Sequence, residues 1–277
     1  MQYRTASASP CFRTNAAGDI LLRPEWPELL GSLAAWGEWC LQTRHEFARL
    51  VARAALPSWI PTEAPSGVRD PAGELHLAYA RWHHAIARLQ FCSCCDSPGY
   101  VEFVNSSGLA FLQCRAPATR RVADLAAIPS RHAAAGLAPM ILPRGTPALL
   151  PVFARSACPR LPAEQLPALL ESLGRSGIAV LFRLLTAESD HRRLFVPESV
   201  AIEAGVLTAA DTRHHSLQLV MTAARALVLE STAAASLLHV VSSDDTLLLT
   251  LAPATDTTHA AAWQHALAAR FPHHAQP

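Results

Sequence analysis

The sequence is short of the features that mark most nucleic-acid-binding, membrane-spanning and hydrolytic proteins. Charged residues are only 16% of the 277, and they nearly cancel to a net charge of +1. The basic residues, all arginine, are scattered, so the basic stripe that a nucleic-acid groove requires is missing. No apolar run approaches the roughly 18 residues needed to cross a bilayer. Residues 1–11 are polar and lack the apolar stretch of a secretory signal, which also leaves Cys11 without support as a lipid-anchor site. The seven cysteines are odd in number and irregular in spacing, unlike an extracellular disulfide framework. No Gly-rich phosphate loop, nucleophile elbow or His-Glu-x-x-His segment occurs, which removes support for a kinase or hydrolase. These absences predict a soluble, cytoplasmic chain with no nucleic-acid partner and no membrane span.

What is present is apolar mass and repetition. Half of the residues (51%) are apolar, enough for a substantial core, and 21 prolines against 12 glycines suggest rigid loops and frequent element boundaries. Residues 26–38 (WPELLGSLAAWGE) match residues 166–178 (LPALLESLGRSGI) without a gap. In each, apolar residues recur at helical spacing: Trp26, Leu29, Leu30 and Leu33, then Leu166, Leu169, Leu170 and Leu173. Pro27 and Pro167 sit in the first turn, and Gly37 and Gly177 follow the last, where a left-handed cap is needed. The same helix is predicted twice.

A second pair is residues 100–119 and 236–255, each two apolar runs around a polar turn and each ending in Ala-Pro-Ala-Thr. Two antiparallel hairpins are predicted. Residues 74–89 carry Leu75, Tyr79, Trp82, Ile86 and Leu89 at helical spacing, while their counterpart near 216–229 reads as strand, turn, strand. Repeat partners should share a fold, so strands are predicted in both. Residues from Thr257 to Phe271 predict a terminal amphipathic helix carrying Trp263, Leu267 and Phe271. The expected fold class is α+β: a tandem duplication of a unit with an antiparallel sheet and flanking helices. The predicted units are 18–119 and 161–272, with a connector bearing short helices at 120–160.

Residues 18–51 (GDILLRPEWPELLGSLAAWGEWCLQTRHEFARLV) resemble the opening of the HemS/HmuS hemin-degrading and heme-utilisation proteins. There an acidic-Trp helix precedes a Gly-Glu strand and a Thr-Arg-Asn-Glu turn; here the turn is Thr43-Arg44-His45-Glu46. Residues 74–87 (ELHLAYARWHHAIA) resemble the family's Asp-Leu-Arg-Leu strand and its Trp-x-His-Ala-Phe-Ala segment, and the hairpin at 100–117 resembles the family's own. Family members are also tandem duplications. The resemblance implies a cytoplasmic heme-binding protein of iron acquisition, with a heme importer or a heme oxygenase as partner. It allows trafficking of heme or its degradation, and trafficking is the favoured reading. The rival reading is a scaffold that has lost heme and serves interactions alone; a weaker third is a metal- or thiol-responsive binder using the cysteines at 92–95.

Two residues carry the implied site. The family's axial His falls, by counting, at His132 in Ser130-Arg131-His132-Ala133-Ala134, without the family's aromatic neighbours. The family's heme-facing Arg position is taken by His76. An imidazole there can ligate iron where a guanidinium does not, so His132 and His76 together could fill both axial positions. The bland alternatives are a loop histidine for His132 and a half-buried strand histidine for His76. His83-His84 and His214-His215 are adjacent residues, which a strand sends to opposite faces, so neither pair is expected to grip one metal. His273-His274 fall in the tail. Cys92-Ser93-Cys94-Cys95 lacks the second pair of a zinc site, and Cys158-Pro159 reads as a turn, with a thiolate ligand for heme iron as its sharper alternative.

Overall fold

The computed structural model describes residues 19–55, 60–61, 67–69, 74–89, 97–117, 119–134, 150–153, 158–232 and 235–271. The first half runs β1 (Asp19–Leu22), α1 (Trp26–Ala34), β2 (Glu38–Arg44), β3 (Ala48–Ala55), β4 (Ile60–Pro61), β5 (Gly67–Arg69), β6 (Leu75–Ala78), β7 (Trp82–Arg88), β8 (Tyr100–Asn105) and β9 (Ala110–Arg115). Two short helices follow, α2 (Val122–Leu125) and α3 (Ala127–His132). The second half repeats the order: β10 (Arg160–Pro162), α4 (Leu166–Arg175), β11 (Val180–Leu185), β12 (Ser189–Phe195), β13 (Ser199–Glu203), β14 (Val206–Ala210), β15 (Ser216–Val220), β16 (Ala226–Ser231), β17 (Ser236–Val241) and β18 (Leu247–Pro253). It closes with α5 (Thr257–Ala268).

Both expected helices form where the spacing places them. In α1 and α4 the buried residues are the predicted sets of four, and Pro stands at the start of each. Gly37 (φ +87°) and Gly177 (φ +65°) take the left-handed conformation that ends them. The hairpins β8–β9 and β17–β18 also form, each with a bulge, at Phe103/Val104 and, one residue further along the aligned copy, at Val240/Val241. Residues 74–89 are strands despite their helical spacing, joined by a short 3-10 turn at Tyr79–Arg81.

The sheets reveal what local pattern does not. Two nine-stranded sheets run β1-β7-β8-β9-β2-β3-β15-β14-β13 and β10-β16-β17-β18-β11-β12-β6-β5-β4. Each half therefore contributes three strands to the other half's sheet. The exchange is sealed by β3 on β15 (Leu50 opposite Leu217) and β12 on β6 (His191 opposite Leu75). The cores are divided differently. One is built wholly from the first half and includes Leu29, Trp82 and Phe103 together with Val68, Leu75 and Leu77 of the exchanged strands. The other gathers the second half, including Leu170, Phe182 and Trp263, with Ala48, Leu50 and half-buried Phe47 from the first. Apolar burial follows the sequence units while backbone hydrogen bonding crosses them.

A buried polar seam joins the halves. Thr43 Oγ1 meets His191 Nδ1 at 2.7 Å, Asn105 Nδ2 donates to Glu188 Oε1 at 3.0 Å, and His45 Nε2 lies 2.9 Å from the Leu248 carbonyl. One close approach fixes α4. A Cβ on Gly174 would stand 2.1 Å from the Pro197 carbonyl oxygen, whereas one on Gly31 of α1 would meet nothing within 4 Å. Gly174→Ala should lower stability by about 1–3 kcal/mol through overpacking. Gly31→Ala should raise it by about 0.5–1 kcal/mol through helix propensity. Urea midpoints of the two variants check the opposite signs.

Candidate functional site

His132 ends α3, which is tied to β1: the Arg23 N–H donates to the His132 carbonyl, and Ala134 N–H to that of Leu21. Its ring is 2% exposed and lies against α1, with Nε2 2.8 Å from the Ser32 hydroxyl. Nδ1 is buried and finds no hydrogen-bond partner among the described residues. Burial, reinforced by the positive charges of Arg23 and Arg131, holds its pKa below the ordinary imidazole value. His132 is thus a neutral imidazole with one uncommitted nitrogen.

His76 sits in β6 between Leu75 and Leu77, both in the first core. Strand alternation turns His76 to the opposite face of the second sheet, half-exposed at this edge and covered farther across by Phe153 and Cys158. Directly opposed residues share a face, so His76 lies beside Arg69 and Asp190 there. Two residues along β12 is Arg192, opposite Arg183, which in turn faces Thr250. Asp190 is gripped by both guanidinium groups, at 2.8–2.9 Å from Arg183 and 2.8 Å from Arg192. Burial works to raise the Asp190 carboxyl, but the two arginines overcome it and hold it below the usual value. Half-buried Leu181, Leu185 and Ala252 and the exposed Leu194 lie on the same face. Farther across, His239 places Nε2 2.9 Å from Glu230 and Nδ1 3.0 Å from the Thr250 hydroxyl, so both of its nitrogens are engaged.

The two sequence-predicted histidines are therefore not gathered to one point. His132 packs on α1 beside the first core, and β6 aims His76 away from that core. Asp190, Arg183, Arg192 and His239 went unnoticed in the sequence. Arg183 and His239 each interrupt an apolar run, whereas Asp190 and Arg192 lie in the polar run of β12 and carry no such signal. His215 is buried, with Nδ1 2.7 Å from Asp211 and Nε2 facing the Arg193 guanidinium at 2.8 Å. Arginine can only donate, so this imidazole carries its proton on Nδ1. His214 beside it is exposed, in the left-handed turn that precedes β15, so burial and not strand alternation separates the pair. Among the described residues Cys40, Cys114 and Cys158 are free thiols, and no three His, Cys, Asp or Glu side chains cluster as a metal centre. Cys92, Cys94, Cys95, His273 and His274 lie outside the described residues. No described helix is long and apolar enough to cross a membrane.

The chain superposes over most of its length on PhuS, a heme-binding protein from Pseudomonas aeruginosa, in its holo form. The TM-score is 0.72 at 16% identity, over 87% of this chain and 82% of that one. It superposes equally on ChuS, a heme degrading enzyme of Escherichia coli O157:H7, with a TM-score of 0.72 at 14% identity, over 91% and 87%. The fold is that of PhuS and ChuS. No family model matches the sequence, and no curated protein matches it. The expected α+β architecture stands, with sheets that share strands between the halves.

A heme calls for an uncommitted imidazole, cations for its two propionates and apolar surface for its ring. The His76 face of the second sheet supplies His76, arginines and half-buried leucines side by side, and His132 supplies a neutral imidazole elsewhere. The residues present fit the group.

Proposed function

We propose that the protein binds heme on the His76 face of the second sheet and carries it within the cytoplasm, receiving it from an importer or passing it to an enzyme that releases its iron. The observation that carries the reading is the placement of His76 among Arg69, Arg183 and Arg192 on one half-apolar face. The likeness of fold to PhuS and ChuS, over 87–91% of the chain, supports it. Bound heme would supply the iron and any redox chemistry; the chain would supply one axial imidazole, cations near the propionates and an apolar bed. His76 and His132 are the candidate ligands. Because His132 is buried against α1 and His76 is half-exposed on its sheet, one heme is expected to take His76.

Titrating the purified chain with hemin should give a near-stoichiometric Soret band. His76→Ala should change the ferric visible spectrum, and His132→Ala should leave it unchanged. The reverse result gives the iron to His132. Absence of a Soret band overturns heme binding and leaves a scaffold for interactions.

A further inference from the structure

His83 and His84 are sequence neighbours, and a regular strand would send them to opposite faces. The pairing of β7 with β8 is not regular there. Trp82 faces Asn105 and His84 faces Val104, so His83 is an extra residue with no partner of its own. Such a bulge bends the strand and re-aims its side chains. The outcome is that the Nδ1 atoms of His83 and His84 stand 3.0 Å apart, with ring planes at 86°. His83 is exposed and His84 half-buried, so the pair opens to solvent.

Two nitrogens each about 2.0–2.1 Å from one ion stand about 2.9 Å apart at a right angle and about 3.4 Å apart at the tetrahedral angle. The observed spacing is close to the first. Right-angled nitrogen coordination is the preference of Cu2+ and Ni2+, not of Zn2+. We propose that His83 and His84 chelate a divalent transition-metal ion of this kind, Cu2+ or Ni2+, through both Nδ1 atoms.

Without an ion, one Nδ1–H donates to the other Nδ1. With it, both rings carry their proton on Nε2 and both Nδ1 lone pairs face the metal, with no net proton released. No third His, Cys, Asp or Glu among the described residues joins the pair. The remaining positions are left to water or to an external ligand, so the site suits an ion that exchanges. The proposal is independent of heme, since neither histidine belongs to the second sheet.

The test is titration of the full chain with Cu2+ alone, followed by calorimetry and electron paramagnetic resonance. It is done in a His273→Ala/His274→Ala background to remove the tail pair. One equivalent with a two-nitrogen signal is expected, displaced by Ni2+ more readily than by Zn2+. His83→Ala and His84→Ala should each abolish that equivalent while circular dichroism stays unchanged. No binding, binding that survives both substitutions, or loss with only one of them would each overturn the chelate.

Discussion

Lowering the pH from 7 to 4 is expected to remove most of the protein's folding stability. Two histidines of the buried seam are responsible. His45 donates from Nε2 to the Leu248 carbonyl and accepts the Phe47 N–H on Nδ1, so a second proton would break the latter bond. Burial lowers its pKa to about 4, against the raising effect of the Leu248 carbonyl. His191, 2% exposed and bonded to Thr43, is lowered by burial to about 3, with Arg193 adding to the effect. In the unfolded chain both titrate near 6.5. Between those values the unfolded state binds more protons than the folded one, so stability is complete above about pH 6.5 and falls as the pH drops.

Each pH unit costs about 1.4 kcal/mol per histidine, or on the order of 3 kcal/mol each by pH 4. Together these are comparable to the 5–15 kcal/mol that holds a typical domain folded. Asp190, held below the usual carboxylate range, acts in the same direction; Glu102, raised by burial, acts in the opposite one. Urea unfolding at a series of pH values measures the slope. His45→Gln, which keeps a donor for Leu248 but cannot be charged, should flatten it. A midpoint that does not move between pH 7 and 4.5 would contradict the assignment.

Trp82→Ala is expected to be the most damaging single substitution in the first half. Trp82 is 7% exposed, and its ring lies 4.8 Å from Phe103, 5.2 Å from Phe111, 5.4 Å from Trp26 and 5.8 Å from Tyr79, centroid to centroid. Those partners come from β8, β9, α1 and the turn before β7, so removing the ring opens a cavity where four elements meet. Large-to-small aromatic substitutions cost about 3–5 kcal/mol, and loss of edge-to-face contacts adds about 0.5–1.5 kcal/mol for each strong pair. Trp82→Phe should cost clearly less, because Trp82 Nε1 has no hydrogen-bond partner among the described residues to lose. Guanidinium unfolding of the two variants gives the comparison. Equal losses would show that the indole's extra volume, not the aromatic hub, matters.

The helices α1 and α4 and the hairpins β8–β9 and β17–β18 were legible because their signals are local: period, Pro and Gly punctuation, and turn residues within one segment. Residues 74–89 were ambiguous alone and were resolved by their repeat partner. The exchange of β6 and β15 was illegible, since pairing between Leu50 and Leu217 leaves no mark near either residue. The same holds for the bulge at His83, which depends on where β8 places Asn105 and Val104. Strand alternation was therefore the wrong guide for that histidine pair. His76 and His132 are the residues that the resemblance implies, whereas the Ser32 contact and the Asp190–arginine cluster needed three dimensions.

The exchanged strands also set a timetable for synthesis. When the first half leaves the ribosome, β3 lacks β15 and β6 lacks β12, because both partners are still to be translated. At about 5–20 residues per second the wait is on the order of ten seconds. During it, two bare strand edges are open to any other nascent copy. A second chain could complete the same pairs in trans, so slow translation of the second half would favour interlocked dimers over monomers.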